Sequence, residues 1–272
     1  MTGSDPVSCT RISRLRVQGL RNLIDIQAEL APGFNLFTGR NGAGKTSILE
    51  AVHVLAHGRS FRVGSSEALI QRGCDRFTVY ADAELVAAGQ PAQRQKLGMS
   101  YGEEGWTLRY NQAPVGNLSD FVRNLAVVTL EPSSHELIVG PSEGRRRFLD
   151  WLLFHVEPAF LVAWRRYMRA LRQRNSGLRS GRISDAELAG WEAELVAAGE
   201  MIHRHRHDLL VSLEPELAPI LAAVAPGMGV SGIRYRPGWP AEMDLAQSLR
   251  EGRLTDRERG LPSAGRIART GG

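Results

Sequence analysis

The eight residues Gly39-Arg-Asn-Gly-Ala-Gly-Lys45-Thr46 constrain this chain more than any other feature of its sequence. They fit the phosphate-binding loop G-x-x-x-x-G-K-[ST] at every fixed position. Such a loop sits between a strand and a helix. Its glycines let the backbone curl until successive N–H groups point at phosphate oxygens, and the following helix adds its positive end. Both flanks are present. Phe34–Thr38 is a short apolar run that predicts a strand, and Thr46–His57 carries Ile48, Leu49, Val52 and Leu55 at helical spacing. On this reading Gly39, Arg40, Asn41, Gly42, Ala43, Gly44, Lys45, Thr46 and Ser47 surround a nucleotide's phosphates. Lys45 reaches the β- and γ-phosphates, and Thr46 offers its hydroxyl to Mg2+. The competing reading is a glycine-rich turn that matches by coincidence.

The flanking patterns divide the chain. Ile12–Val17 alternates apolar and basic residues, and Phe77–Leu85 alternates strictly. Trp106, Leu108 and Tyr110 repeat the pattern before a turn at Asn111–Pro114. The last two runs predict an antiparallel pair with one solvated face, and Val127–Leu130 closes this α/β part. From about 143 the period becomes helical. Phe160, Leu161, Trp164, Tyr167, Met168, Leu171 and Leu178 form one stripe. Ser184 to Glu187 then reads as a capping box. It opens a second helix whose seam steps through 188, 191, 195, 198, 202, 205 and 209. With Gly181 and Arg182 at the bend, the two helices predict an antiparallel hairpin. Beyond 225, glycines and prolines interrupt the pattern, with Val230–Tyr235 a candidate strand and Met243–Leu249 a candidate short helix. The organisation expected is 1–130 as an α/β lobe, 131–225 as a helical lobe, and 226–272 as the start of a return to the first.

Composition excludes other classes. The chain has 272 residues, 43% hydrophobic and 23% charged, as a globular protein does. No apolar run reaches membrane-spanning length, and Met1–Cys9 lacks the charge and apolar core of a secretory signal. Two cysteines make no disulfide framework, so a cytoplasmic setting is expected. Net charge is +5, and all basic residues except Lys45 and Lys96 are arginine. Codon bias toward GC explains the arginine-to-lysine ratio, whereas contact with nucleic acid explains the excess. Arg165, Arg169, Arg172 and Arg179 fall on one side of the first long helix. They read either as a track for a phosphate backbone or as a solvated face. Arg145–Arg147 lies at a predicted helix start, where positive charge needs an acidic or phosphate partner. His203 and His207 share a helical face, but their arginine neighbours repel cations and no metal site is expected there.

Several segments together resemble the RecF family of bacterial recombination mediators, relatives of the SMC ATPases. They are Leu20-Arg-Asn22, Gly39–Glu50, Gly58-Arg-Ser-Phe-Arg62, Arg145–Asp150, Leu153–Pro158 and Trp164–Asn175, within a resemblance that runs from about Arg14 to Gly238. The resemblance implies an ABC-type P-loop ATPase head with an inserted α-helical second lobe. It implies ATP and Mg2+ as cofactors, an ATP-dependent homodimer, DNA gripped near single-strand gaps, and work alongside RecO and RecR. It places Arg21 and Asn22 near the nucleotide and matches Arg62, without giving Arg62 a contact. Glu131–Glu136 falls where such heads sense Mg2+ and water.

The chain departs from the family pattern after Asp256–Arg259, with an aberrant tail from about 260. It contains no Gly-Pro-His-Arg segment, no Leu-Ser-x-Gly-Gln signature and no apolar strand ending in paired acids. The head is therefore expected to be incomplete, hydrolysis near background, and order low from about 256 onward. One GC-rich choice of codons for 260–272, read in another frame, gives Pro-His-Arg-Ala-Asp, so the tail is read as a reading-frame artefact. Two alternatives stay open at this point. One is a free-standing P-loop kinase of a small acidic metabolite. The other is a non-catalytic interaction module with a vestigial loop.

Overall fold

Alternating β-branched and aromatic residues in the first half need cross-strand neighbours, while the 3.6-residue stripes of the second half need other helices. A computed structural model describes residues 9–86, 91–227, 232–240 and 242–259. The chain forms two units, Met1–Glu131 and Pro132–Gly272.

The first unit is built on an antiparallel sheet in the order β2-β1-β3-β4-β5-β6. Its strands are β1 (Cys9–Leu20), β2 (Leu23–Glu29), β3 (Arg76–Val86), β4 (Gln93–Gly102), β5 (Gly105–Tyr110) and β6 (Ala113–Pro114). Phe77, Val79, Ala81 and Ala83 of β3 are buried with Leu15 and Val17 of β1 and Leu97 and Met99 of β4. The expected pairing of Phe77–Leu85 with Trp106–Tyr110 is corrected: β4 lies between them. Leu97 and Met99 are the only large apolar residues it aims at the core, too few to stand out in a sequence rich in Gln, Arg and Lys. Helix α1 (Lys45–His57) packs against β1, β3 and β4. Its buried face is Ser47, Glu50, Ala51, Val54 and Leu55, rotated from the expected stripe; Leu49 stands 54% exposed. A short helix α2 (Leu118–Val122), capped by the Asn117 side chain, buries Phe121.

One expected strand does not form. Phe34–Thr38 joins no sheet, nor does Val127–Leu130, and Phe34, Leu36 and Leu130 are almost fully exposed. A strand exists only where a neighbour takes its N–H and C=O groups, and no described segment supplies one.

The second unit is helical: α3 (Glu136–Val139), α4 (Ser142–Val156), α5 (Pro158–Ser180), α6 (Asp185–Val224) and α7 (Leu245–Arg259). The capping box of Ser184 and Glu187 is present in both directions, and Gly181 closes α5 at φ 65°. The hairpin of α5 and α6 forms as expected. Phe160, Ala163, Tyr167, Ala170 and Leu171 meet Leu195, Ala198 and Ile202, with Leu149 and Leu153 of α4 and Leu245 and Leu249 of α7 completing the core. The Leu, Ile and Phe side chains among them each contribute about 1.5–3 kcal/mol on burial. Within 226–272, which the sequence reading led back toward the α/β lobe, α7 packs on α5 and α6. It runs ten residues past the expected Leu249, and Asp256 is fully buried. Gly232–Tyr235 joins no sheet, while Val230, Ser231 and the tail from 260 lie outside the described residues. Pro215 and Pro219 sit inside α6. Among the described residues no helix is long and apolar enough to cross a membrane.

Candidate nucleotide-binding site

The β1–β2 turn and the start of α1 build the site together. Leu20 pairs with Leu23, so Arg21 and Asn22 alone make the turn. The Asn22 amide donates to the Gly42 carbonyl at 2.6 Å, and its oxygen accepts from the Ser47 hydroxyl at 2.7 Å. One side chain thus joins the middle of the loop to the first turn of the helix. Gly42 and Gly44 have φ of 81° and 94°, a region costly for other residues. Gly44 is also crowded, since a Cβ there would stand 2.6 Å from a Leu23 methyl. The Lys45 ammonium donates to the carbonyls of Gly39 and Arg40, each at 2.8 Å, and spans the loop. Arg40, Asn41 and Thr46 are exposed.

Behind the loop lies a carboxylate that the sequence reading passed over. Glu50 is 0% exposed. The Arg21 guanidinium donates to both its oxygens, at 2.9 and 3.1 Å, and Ser60 adds a hydroxyl. Arg62 lies 3.6 Å away as an ion pair, the contact its sequence position left unassigned. Burial raises the Glu50 pKa, but the hydrogen bonds from Arg21 and Ser60 and the charges of Arg21 and Arg62 outweigh it and hold the group below its ordinary value. A charge at a core-facing position of an amphipathic helix was the available signal.

Farther along α1, His53 and His57 stack at 4.1 Å. Their ring nitrogens meet the Thr129 hydroxyl and the Val127 carbonyl, each at 2.8 Å. These bonds tie the helix to the unpaired segment before Glu131.

The helical unit holds the other candidates. Arg165, Arg169, Arg172 and Arg179 are all exposed along α5, separate in sequence and unit from the loop. Arg145 donates to the carbonyls of Leu137, Ile138 and Gly140 at 2.9–3.1 Å. Its partners are the carbonyls at the end of α3, while Arg146 of the same run acts on the charge of Asp150. His203 stacks on Tyr235 at 5.3 Å. Missed entirely were the buried ion pairs. Arg174 binds Glu192 and Asp256, and Arg206 binds Asp150 through two bonds of 2.7 and 2.8 Å.

Comparison with known proteins now adds to the geometry. The RecF/RecN/SMC N terminal domain family matches residues 11–134. The DNA replication and repair protein RecF of Stenotrophomonas maltophilia is 42% identical over 94% of this chain and 70% of its own length. The chain belongs to the RecF family. RecF of Xanthomonas oryzae is also 42% identical, over 93% of the chain and 70% of its own length, and RecF of Pseudomonas putida is 36% identical, over 93% and 68%. The fold agrees with a solved structure of the recombination mediator RecF with ATP. The TM-score is 0.80 over 96% of this chain and 73% of that one, at 20% identity. The ATPase-head architecture that the resemblance implied is therefore that of RecF, and the chain is a member of a family of DNA replication and repair proteins. Family membership removes the small-molecule kinase reading.

Proposed function

We propose that this chain is an ATP-binding recombination mediator that works on DNA at single-strand gaps. The observation that carries the nucleotide part is the Gly39–Thr46 loop itself. Its glycines hold positive φ, Asn22 anchors it to α1, and Lys45 lies across it within reach of an incoming phosphate. Loop N–H groups and the N-terminal end of α1 would bind the β- and γ-phosphates. Lys45 would exchange its two carbonyls for phosphate oxygens. Among the described residues no group of three or more His, Cys, Asp or Glu can hold a metal. Mg2+ would arrive with the nucleotide and take the exposed Thr46 hydroxyl as a protein ligand, neutralising phosphate charge.

DNA would be met through phosphates, by exposed arginines that include Arg165, Arg169, Arg172 and Arg179, with no base-reading module. Partners of RecO and RecR type and an ATP-dependent homodimer belong to the same proposal, as does a cytoplasmic setting. Lys45→Ala tests the first step. It removes charge-assisted contacts worth about 1.5–3 kcal/mol, so equilibrium titration should show ATP binding weakened about tenfold or more. Affinity equal to the parent would overturn the nucleotide reading. For DNA, binding to gapped duplex should fall steeply with salt; a flat response would overturn the phosphate-contact reading.

A further inference from the structure

Arg21 occupies the left-handed region at φ 57°, where a residue with a Cβ is rarely placed. The turn would be easier to make with glycine. What holds arginine there is its side chain, which commits three nitrogens. Nε and Nη2 go to Glu50, and Nη1 goes to the Ala68 carbonyl at 3.0 Å. The backbone N–H of Arg21 is held as well, by the Leu69 carbonyl at 2.7 Å. Ser60 adds a second link: its hydroxyl donates to Glu50 while accepting the N–H groups of Arg62 and Val63 at 2.8 and 3.1 Å. Two loops distant in sequence are therefore pinned to one buried carboxylate, five residues beyond Lys45. Arg62 keeps 49% of its side chain in solvent, against 21% for Arg21. Arg62 is thus the more open of the two cations.

We propose that Glu50 is the positioning residue of the nucleotide site. It fixes the Arg21 and Arg62 guanidiniums beside the phosphate-binding loop, and the Arg21–Asn22 turn passes that order to Gly42 and Ser47. An uncompensated buried carboxylate would be costly. One that gathers two cations onto the helix carrying Lys45 preorganises positive charge for a triphosphate before it arrives. The Glu50 carboxylate touches no substrate in this scheme and acts through the arginines and the turn.

This inference rests on the nucleotide reading, and the test separates the two. The parent chain, Lys45→Ala, Glu50→Gln, Arg21→Ala/Arg62→Ala and the triple variant combining the last two are titrated with a fluorescent ATP analogue. Each is also melted by circular dichroism. Glu50→Gln should weaken binding about tenfold, as loss of charge-assisted contacts implies. In the Arg21→Ala/Arg62→Ala background the same change should have no further effect. Ser60→Ala, which removes one link and no charge, should weaken binding in the same direction by a smaller factor. It keeps the test sharp if Glu50→Gln does not melt cooperatively. Parental affinity in both Glu50→Gln and Ser60→Ala would overturn the inference alone, provided Lys45→Ala still loses binding. An equal drop from Glu50→Gln in both backgrounds would also overturn it, because that is the signature of a merely structural role. No binding by the parent would remove the nucleotide reading beneath it.

Discussion

Strand β1 and the packed faces of α5 and α6 both carry arginine, and they use it in opposite ways. On the sheet, Arg11 pairs with Glu84, Arg14 with Glu29 and Asp82, and Arg16 with Asp25, in a charge ladder across neighbouring strands with its arginines exposed. Such pairs are screened by water and add little. In the helical unit, Arg174 and Arg206 are among the largest fully buried side chains. Arg174 joins α5 to Glu192 of α6 and Asp256 of α7, and Glu192 is shared with Arg253. The lesson is that residue type sets what arginine can bind, and burial sets what that binding is worth. The number of arginines therefore says little by itself about nucleic acid, because many of them already have acidic partners inside the chain.

The contrast can be broken at four points. The largest effect belongs to Arg174→Ala, which strands Glu192 and Asp256 without their central cation. Breaking a buried pair from one side costs about 3–5 kcal/mol, so thermal melting should show a large drop or loss of the cooperative transition. A melt unchanged from the parent would mean the network is not buried in solution. Next comes Arg206→Ala, expected at about 1.5–3 kcal/mol. It is milder because Asp150 is already pushed up by burial against the pull of Arg206, and can take a proton when its partner leaves.

Acid should separate the units by sign. In the sheet unit, burial and the charges of His57 and Arg59 lower the His53 pKa from 6.5 to about 4. The unfolded chain then binds the proton first, so stability is full above pH 6.5 and is lost as the pH falls toward 4. In the helical unit the raised Asp150 works the other way, contributing stability at low pH that is lost as pH rises through its folded value. Urea midpoints measured from pH 7.5 to 4.5 should show His53→Gln flattening the acid decline and Asp150→Asn steepening it. Parallel curves for the parent and both variants would count against these assignments. The smallest effect is expected from Arg16→Ala, whose pair with Asp25 is exposed on both sides. No resolvable shift in melting is expected, and a large one would mean that the ladder matters.

What was legible from sequence follows the same division. The loop, the capping box of Ser184 and Glu187, the bend at Gly181 and the α5 stripe each announce themselves by local chemistry, and each stands where expected. The hidden features share one cause. Leu188, Glu192, Leu195, Gly199, Ile202 and Arg206 are all buried on α6 at alternating fours and threes. A search for apolar residues does not see Glu192, Gly199 or Arg206 as core. Glu50 on α1 is hidden in the same way. Phe34–Thr38 shows the converse: apolar residues and strand propensity are present, yet a strand is a relation between two segments and one segment cannot establish it.

The two prolines of α6 have a mechanical consequence. The helix is about 60 Å long at 1.5 Å per residue, and its buried side chains fall between Leu188 and Arg206. Pro215 and Pro219 remove the amide donors that would have bonded to the carbonyls of Val211 and Pro215. Val211, Ile220, Leu221 and Val224 in that far half stand exposed. The helix is thus a rod clamped at one end and notched toward the other. Backbone amides near Leu195 should resist hydrogen–deuterium exchange up to global unfolding, while those beyond Pro219 should open by local fraying, orders of magnitude sooner. One continuous helix therefore contains a stiff half and a compliant half, with the boundary written by two residues.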